Sequence, residues 1–361
     1  MNINELRNNI SSIDRRLLEL IAERQRLVSE IGRSKQYTGR ATRDFEREKD
    51  VLNMARQQAK SISIDPNIAE EIMRILIRSS LTSQERDRVI AEKKGNGRRV
   101  LVIGGAGGMG AWFVDFFDSQ EFAISIADPS IESGPNCFSD WREAGIDYDI
   151  IVIATPLAVS GQILTELAEW RPKALIFDIA SLKTPLRKGL ECLKDSGCLV
   201  ASLHPMFGPE TRLLSGRHLI FVDTGCAEAT AAAKELFSAT MVDKLEMDLD
   251  DHDRFIAYVL GLSHALNIAF FTVLANSGEA APKLAQLSST TFDAQLLVST
   301  LVAHENPYLY FEIQSLNEFG LGSLDALCES VNKIRQLVAD NDEEGFIELM
   351  NKGRDYLAMR R

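Results

Sequence analysis

Between Asn2 and Ile31 the chain contains neither glycine nor proline, and apolar residues return at Leu6, Ile10, Ile13, Leu17, Leu20, Ile21, Leu27, Val28 and Ile31. Positions three, four and seven apart share one side of an α-helix, so this spacing predicts a single helix running to about Lys35. At ~1.5 Å per residue it spans ~50 Å, more than short neighbours in the same chain can cover. A second copy of the chain is therefore expected along it. Asp44 opens a second helical stretch to about Ala59. Asp65-Pro66 then supplies an N-cap and a proline at the first helical position for a third, to about Ile90. Residues 1–90 read as an all-helical domain.

The next segment, Glu92 to Arg99, is charged and carries Gly95 and Gly97, so residues 91–98 are expected to be a solvated linker. After it the periodicity changes. Apolar strands are expected at Arg99–Ile103, Ile124–Ala127, Ile150–Ala154, Leu175–Ile179, Leu199–Ser202 and His218–Val222, alternating with helical segments, the last at Ala227–Met241. That alternation predicts a parallel sheet wound with helices over residues 99–244. From about Leu249 the pattern is helical again with few breakers, which makes residues 245–361 a third, all-helical region.

A chain of 361 residues exceeds one ordinary core, in line with this division. Residues 1–90 hold 17 Lys and Arg against 14 Asp and Glu, and the remainder 23 against 38. The acidic remainder argues against nucleic acid as a partner. No uninterrupted apolar run of about 20 residues is present and the first residues lack a basic, apolar leader, so we expect no membrane span and a cytoplasmic location. Five cysteines without a CxxC pair favour buried thiols over disulfides, and no metal site is expected.

Arg24 and Lys35 lie 11 residues apart, which returns them to within ~20° of one another on a helix, on the face of Ile13, Leu17 and Ile31. Cations on an apolar stripe need a partner, because an unpaired buried charge is costly. Arg7 points ~100° away from Arg24 and does not easily serve the same pocket from the same helix, but a second copy could deliver it. Together Arg7, Arg24, Lys35, Asp44, Arg47, Glu48, Ser80 and Gln84 resemble, without a gap, the active-site pattern of the all-helical chorismate mutase family. The resemblance implies an intertwined homodimer that binds chorismate and releases prephenate. In it Arg7, Arg24 and Arg47 would grip carboxylates and Lys35 and Gln84 would donate to the ether oxygen. Glu48 would accept from the ring hydroxyl, with Asp44 and Ser80 completing the lining. A [3,3]-sigmatropic rearrangement transfers no proton, so fixed cations and donors are the chemistry it needs.

The turn Gly105-Ala106-Gly107-Gly108-Met109-Gly110 follows a predicted strand and opens a predicted helix, the setting in which G-x-G-x-x-G binds a dinucleotide pyrophosphate. Asp128, at the end of the next strand, would bond a ribose 2′-hydroxyl and repel a 2′-phosphate, which selects NAD. Two later motifs, Asp178-Ile-Ala-Ser181-Leu-Lys183 and His204-Pro-Met-Phe-Gly-Pro209, resemble the prephenate dehydrogenase family, and His252-Asp253 with Ser263-His264 match its substrate domain less tightly. By that resemblance His204 takes the proton of the prephenate C4 hydroxyl as hydride leaves, and Ser181 orients the same hydroxyl. Lys183, His252, Arg254 and His264 would contact substrate. The fold implied is a Rossmann-type domain between the helical mutase and an all-helical domain for dimerisation and substrate binding.

One position departs from that family. Leu301 stands where many members carry a carboxylate-binding arginine, Asp293 occupies another basic position, and no arginine occurs between Arg254 and Arg335. An unpaired substrate carboxylate would cost at least ~1 to 3 kcal/mol. Arg212, Arg217, Arg254 and Lys183 are the remaining cations for the role, with Arg254 ranked first because it follows His252-Asp253 directly. The departure leaves two other readings open: an amino-substituted ring substrate such as 4-amino-4-deoxyprephenate, or a dehydrogenase half that only binds a regulatory ligand.

Overall fold

The structure is a computed structural model, described over residues 2–38 and 41–359. Contacts divide the chain into two units. The first holds Met1–Thr155, Leu167–Ile179 and Leu193–Glu246, and the second Pro156–Glu166, Ala180–Cys192 and Met247–Arg361.

The first unit begins with three helices, α1 (Ile3–Tyr37), α2 (Phe45–Ser61) and α3 (Pro66–Glu92). Their ends follow local chemistry. Asn2 and Glu5 close a capping box on α1, Asp44 accepts from the Arg47 N–H at the start of α2, and Asp65 caps α3 ahead of Pro66. None of the α1 side chains is buried, and Ile3, Leu6, Ile10, Ile13, Leu17 and Leu20 face solvent along it. The apolar stripe of α1 is thus left open within one chain.

The same unit carries an eight-stranded sheet in the order β3-β2-β1-β4-β5-β6-β7-β8. Its strands are β1 (Arg99–Ile103), β2 (Ala123–Ala127), β3 (Cys137–Phe138), β4 (Ile150–Ile153), β5 (Leu175–Asp178), β6 (Leu199–Pro205), β7 (His218–Val222) and β8 (Asp243–Met247). Helices α4 (Gly108–Asp118), α5 (Trp141–Ala144) and α8 (Ala227–Leu236) lie between them in this unit, while most of α6 (Leu157–Trp170) and α7 (Arg187–Asp195) belongs to the second. β1 to β6 pair in parallel, but β7 runs antiparallel to β6, so the sheet is parallel-dominated and not wholly parallel as expected. The pairing also lengthens β6: His204 sits inside the strand opposite Ile220, not in a loop after it. α8 stops at Leu236, short of the expected Met241, and the polar edge strand β8 follows. An edge needs no apolar alternation, which is why DKLEM carries no strand signal.

The core between sheet and helices includes Val100, Val102, Phe113, Phe117, Val152, Phe177 and Phe237, and also Val89 from α3. The expected solvated linker is tied down: Gly95 is buried and its N–H donates to Gln120 O at 2.9 Å, while Lys94 Nζ pairs with Glu235 at 2.9 Å.

The second unit is helical. α9 (Leu249–Ile256) runs through a π-helical segment (Ala257–Leu262) into α10 (Ser263–Asn276), followed by α11 (Ala281–Gln286), α12 (Thr290–Ala303), α13 (Pro307–Ser315), α14 (Gly320–Ala339) and α15 (Glu343–Ala358). The continuous stretch Leu249–Asn276 is long and apolar enough to cross a membrane by length and composition, although Asp250, Asp251, His252, Asp253 and Arg254 interrupt its first turns and it is no uninterrupted apolar run. It holds the buried polar side chains of His252, Asp253, His264 and Asn267, while Phe255, Tyr258, Val259, Leu266 and Val273 are exposed along it.

Candidate active sites

The first site is a cleft of about 380 Å3 among α1, α2 and α3, with Arg24, Lys35, Asp44, Arg47, Glu48, Ser80 and Gln84 on its walls. Leu27, Val28 and Ile31 supply an apolar floor. Seven of the eight positions singled out in the helical domain thus converge. Arg7 does not: it is exposed on α1, on the open face. Burial pulls the Arg24 guanidinium below its ordinary value. It donates to Ser80 Oγ at 2.6 Å and Leu76 O at 3.1 Å. Lys35 Nζ donates to Thr42 O at 2.8 Å and Gln84 Nε2 to Val28 O at 3.2 Å, so two donors stand in the cleft on backbone carbonyls they can exchange for a ligand. Gly32 lets α3 approach, since a Cβ there would meet Gln84 Cγ at 3.0 Å. Three residues of this region escaped the sequence reading. Arg43 grips Glu48, Thr42 receives Lys35, and Arg88 Nη1 donates to Thr42 Oγ1 at 3.3 Å.

The second site lies at the carboxyl end of β1. Gly104 takes φ +85°, which only glycine adopts freely, and a Cβ on Gly110 would lie 2.1 Å from Gly104 O. The turn through Gly105, Gly107 and Gly108 is thereby held tight, and the first N–H groups of α4, at Gly108, Met109 and Gly110, are left at its open N-terminus. The Met109 side chain packs against the core, so only its backbone belongs to this cradle. Asp128 accepts from Ala106 N at 3.2 Å and Ser130 Oγ at 2.7 Å, which sets its carboxylate beside the glycine turn. A glycine cradle at a helix N-terminus with a carboxylate at its rim fits a dinucleotide. In the same unit His204 is buried in β6, one strand from the buried Asp178 that ends β5.

In the second unit Asp253 is the organising group. It accepts Lys183 N at 2.9 Å and Thr184 N at 2.7 Å, and His252 Nδ1 lies 2.6 Å away. Burial pushes the Asp253 carboxyl up, and the bonds from His252, Thr184 and Lys183 outweigh it and hold it below the usual range. His252 is wholly buried beside Asp253, which clamps the Ser181–Thr184 segment to α9 with Leu182 and Lys183 wholly buried and Ser181 and Thr184 partly so. Arg254 points the other way. It is exposed, ion-paired with Asp251 and laid over the Phe255 ring, because two residues along a helix turn ~200°. That removes the ground for ranking it first.

His264, by contrast, is 9% exposed and stacks face to face on Tyr310 at 3.9 Å. Its Nδ1 has no partner, and burial lowers its pKa to about 4. Three residues before His264, the Gly261 carbonyl of the π-segment accepts Gln314 Nε2 from α13 at 2.7 Å, while Gln314 Oε1 is unpaired. Buried orphan polar atoms beside a π-segment mark a place where a ligand can supply the missing bonds. Leu301 is exposed on α12, and Asp293 bonds Ser288.

Residues 6–85 match the family profile described as chorismate mutase type II, residues 130–242 the prephenate dehydrogenase nucleotide-binding domain, and residues 248–352 the prephenate dehydrogenase dimerization domain. The chain belongs to the chorismate mutase and prephenate dehydrogenase families. All eight mutase positions fall inside the first match, and the glycine turn, which precedes the second, stands on the geometry above. The fused chain is 26% identical over 350 residues to the T-protein of Enterobacter agglomerans, covering 96% of this chain and 91% of that one. Its mutase part is 35% identical over 82 residues to the chorismate mutase of Methanocaldococcus jannaschii, covering 23% of this chain and 83% of that one. Its fold is similar to that of prephenate dehydrogenase from A. aeolicus, solved with hydroxyphenyl propionate and NAD+: TM-score 0.58, 18% identity, 73% of this chain and 98% of the other.

Proposed function

We propose that this fused enzyme, a cytoplasmic homodimer, converts chorismate to prephenate in the cleft of α1, α2 and α3 and then oxidises prephenate to 4-hydroxyphenylpyruvate, in tyrosine biosynthesis. The observation that carries the first step is the convergence of seven charged and polar side chains on one cleft with an apolar floor. Arg24 and Arg47, with Arg7 from the second copy, hold the two carboxylates in the chair-like conformer. Lys35 and Gln84 donate to the ether oxygen as its bond to carbon breaks, and Glu48 accepts from the ring hydroxyl, with Asp44 and Ser80 completing the lining.

In the second step His204 takes the C4 hydroxyl proton, Ser181 orients that hydroxyl, and the ring carboxylate leaves as carbon dioxide while its bonding electrons close the aromatic ring. A bound NAD would supply the hydride acceptor for C4; the N–H groups of Gly108, Met109 and Gly110 would hold its pyrophosphate and Asp128 its ribose. His264 offers its orphan Nδ1 to substrate. Lys183, wholly buried on the segment whose backbone Asp253 clamps beside Ser181, is the cation we assign to a substrate carboxylate. The fusion to a mutase match, whose product would be prephenate, favours prephenate over an amino-substituted ring, and the dehydrogenase match that includes His204 favours turnover over a purely regulatory half.

The test is a pair of assays on one variant. Lys35→Ala should lower kcat for chorismate by at least ~100-fold, the scale of one lost electrostatic donor, while NAD reduction with supplied prephenate persists. Mutase turnover within threefold of the parent would reject the role of Lys35.

A further inference from the structure

We infer that the nucleotide-binding half completes the mutase site: Arg43, braced by Ser215, is a positioning residue that fixes Glu48. The inference rests on the reading of Glu48 as a mutase residue. Arg43 Nε and Nη2 hold the two Glu48 carboxylate oxygens at 2.9 and 3.0 Å, a fork-on-fork pair that sets the plane of the carboxylate and not merely its charge. The remaining terminal nitrogen, Nη1, donates to Ser215 Oγ at 2.8 Å, and the guanidinium lies over the Phe45 ring at 4.3 Å. Ser215 belongs to the connection between β6 and β7, in the nucleotide-binding part of the chain. The side chain that orients Glu48 is thus itself oriented from outside the three mutase helices.

A second contact holds the same connection. Glu85 follows Gln84 on α3, ~100° around the helix, and is buried with Oε2 accepting Leu214 N at 2.7 Å and Oε1 accepting Met241 N. Consecutive residues 214 and 215 are therefore gripped by two mutase elements, one next in sequence to a cleft side chain and one bonded to another. Each carboxylate oxygen of Glu48 keeps a lone pair for the ring hydroxyl, so Arg43 restricts its direction without consuming its function. Fixing an acceptor before substrate arrives removes reorganisation from the step in which charge shifts, so the expected signature is in kcat and not in KM.

The experiment uses the full chain and normalises mutase kcat to NAD-dependent turnover of supplied prephenate, which reports the folded fraction. Arg43→Ala should lower normalised mutase kcat ~10-fold or more with KM for chorismate within about threefold. Arg43→Lys, with charge but no fork, should recover only part of the loss. Ser215→Ala should lower kcat ~3-fold in the parent and have no further effect in Arg43→Ala, because it acts through that arginine. If Glu48→Gln loses mutase activity but Arg43→Ala and Ser215→Ala both stay within twofold, the bracing is overturned and the site reading stands. If Glu48→Gln itself keeps full mutase kcat, the role of Glu48 falls and the bracing with it.

Discussion

Protonating His264 should loosen the helical second unit, and the size of the effect follows from its surroundings. The ring is buried against Tyr310 with no carboxylate bonded to it, and burial lowers its pKa from 6.5 to about 4. The folded state therefore prefers the neutral ring, while the unfolded chain takes up a proton as soon as the pH falls below its ordinary value. The stabilisation is complete above about pH 6.5, declines as pH falls toward 4, and is flat below. With ~1.4 kcal/mol per unit, the difference reaches ~3 kcal/mol at its limit and about 2 kcal/mol between pH 7 and pH 5. His264→Phe keeps a flat ring on Tyr310 and removes the titration, so urea unfolding of parent and variant at the two pH values isolates the effect. The parent should lose about 2 kcal/mol more than the variant. With five histidines in the chain, carbon-labelled imidazole resonances give a direct check, and the His264 signal should not move above pH 5. A midpoint above pH 6, or equal losses in both proteins, would refute the reasoning.

Three further outcomes follow from the geometry. Inactive Arg7→Ala and Arg24→Ala chains, mixed under conditions of shown subunit exchange, should regain mutase activity, since one site per heterodimer is intact; no recovery would end the shared-site reading. Asp128→Ala should narrow the preference for NAD over NADP, and equal use of both by the parent would contradict the role of that carboxylate. Arg254→Ala should leave KM for prephenate within about twofold, because Arg254 faces outward onto Asp251; a tenfold rise would show that it reaches substrate after all.

What was legible in the sequence was local. The starts of α2 and α3 were fixed by Asp44 and by Asp65-Pro66, caps that act within a turn. The cleft residues were legible for a related reason, since helical periodicity together with the family pattern brings Arg24, Lys35, Ser80 and Gln84 to one wall. Where neighbours in sequence were read as neighbours in space, the helix misled: Arg254 follows Asp253 yet turns away from it. The π-segment Ala257–Leu262 reads as plain helix, because its displaced Gly261 carbonyl is satisfied by Gln314, 53 residues later.

The junction at residues 91–98 shows the same limit most fully. Gly95, Gly97 and the surrounding charges carry every local sign of a solvated hinge, and those signs report only that the backbone there can turn. Whether it is free depends on partners far along the chain: Gly95 on Gln120, Lys94 on Glu235, Val89 in the core, and Glu85 on Leu214 and Met241. The desolvated Glu85 carboxyl is pushed above its usual range by burial, and its two backbone donors only partly offset that. Cutting the chain at the apparent hinge would expose Val89 to water and leave two main-chain N–H groups without their acceptor, at ~1 to 3 kcal/mol each where they stay buried. The mutase helices and the sheet are therefore one folded body across a segment whose composition alone describes two.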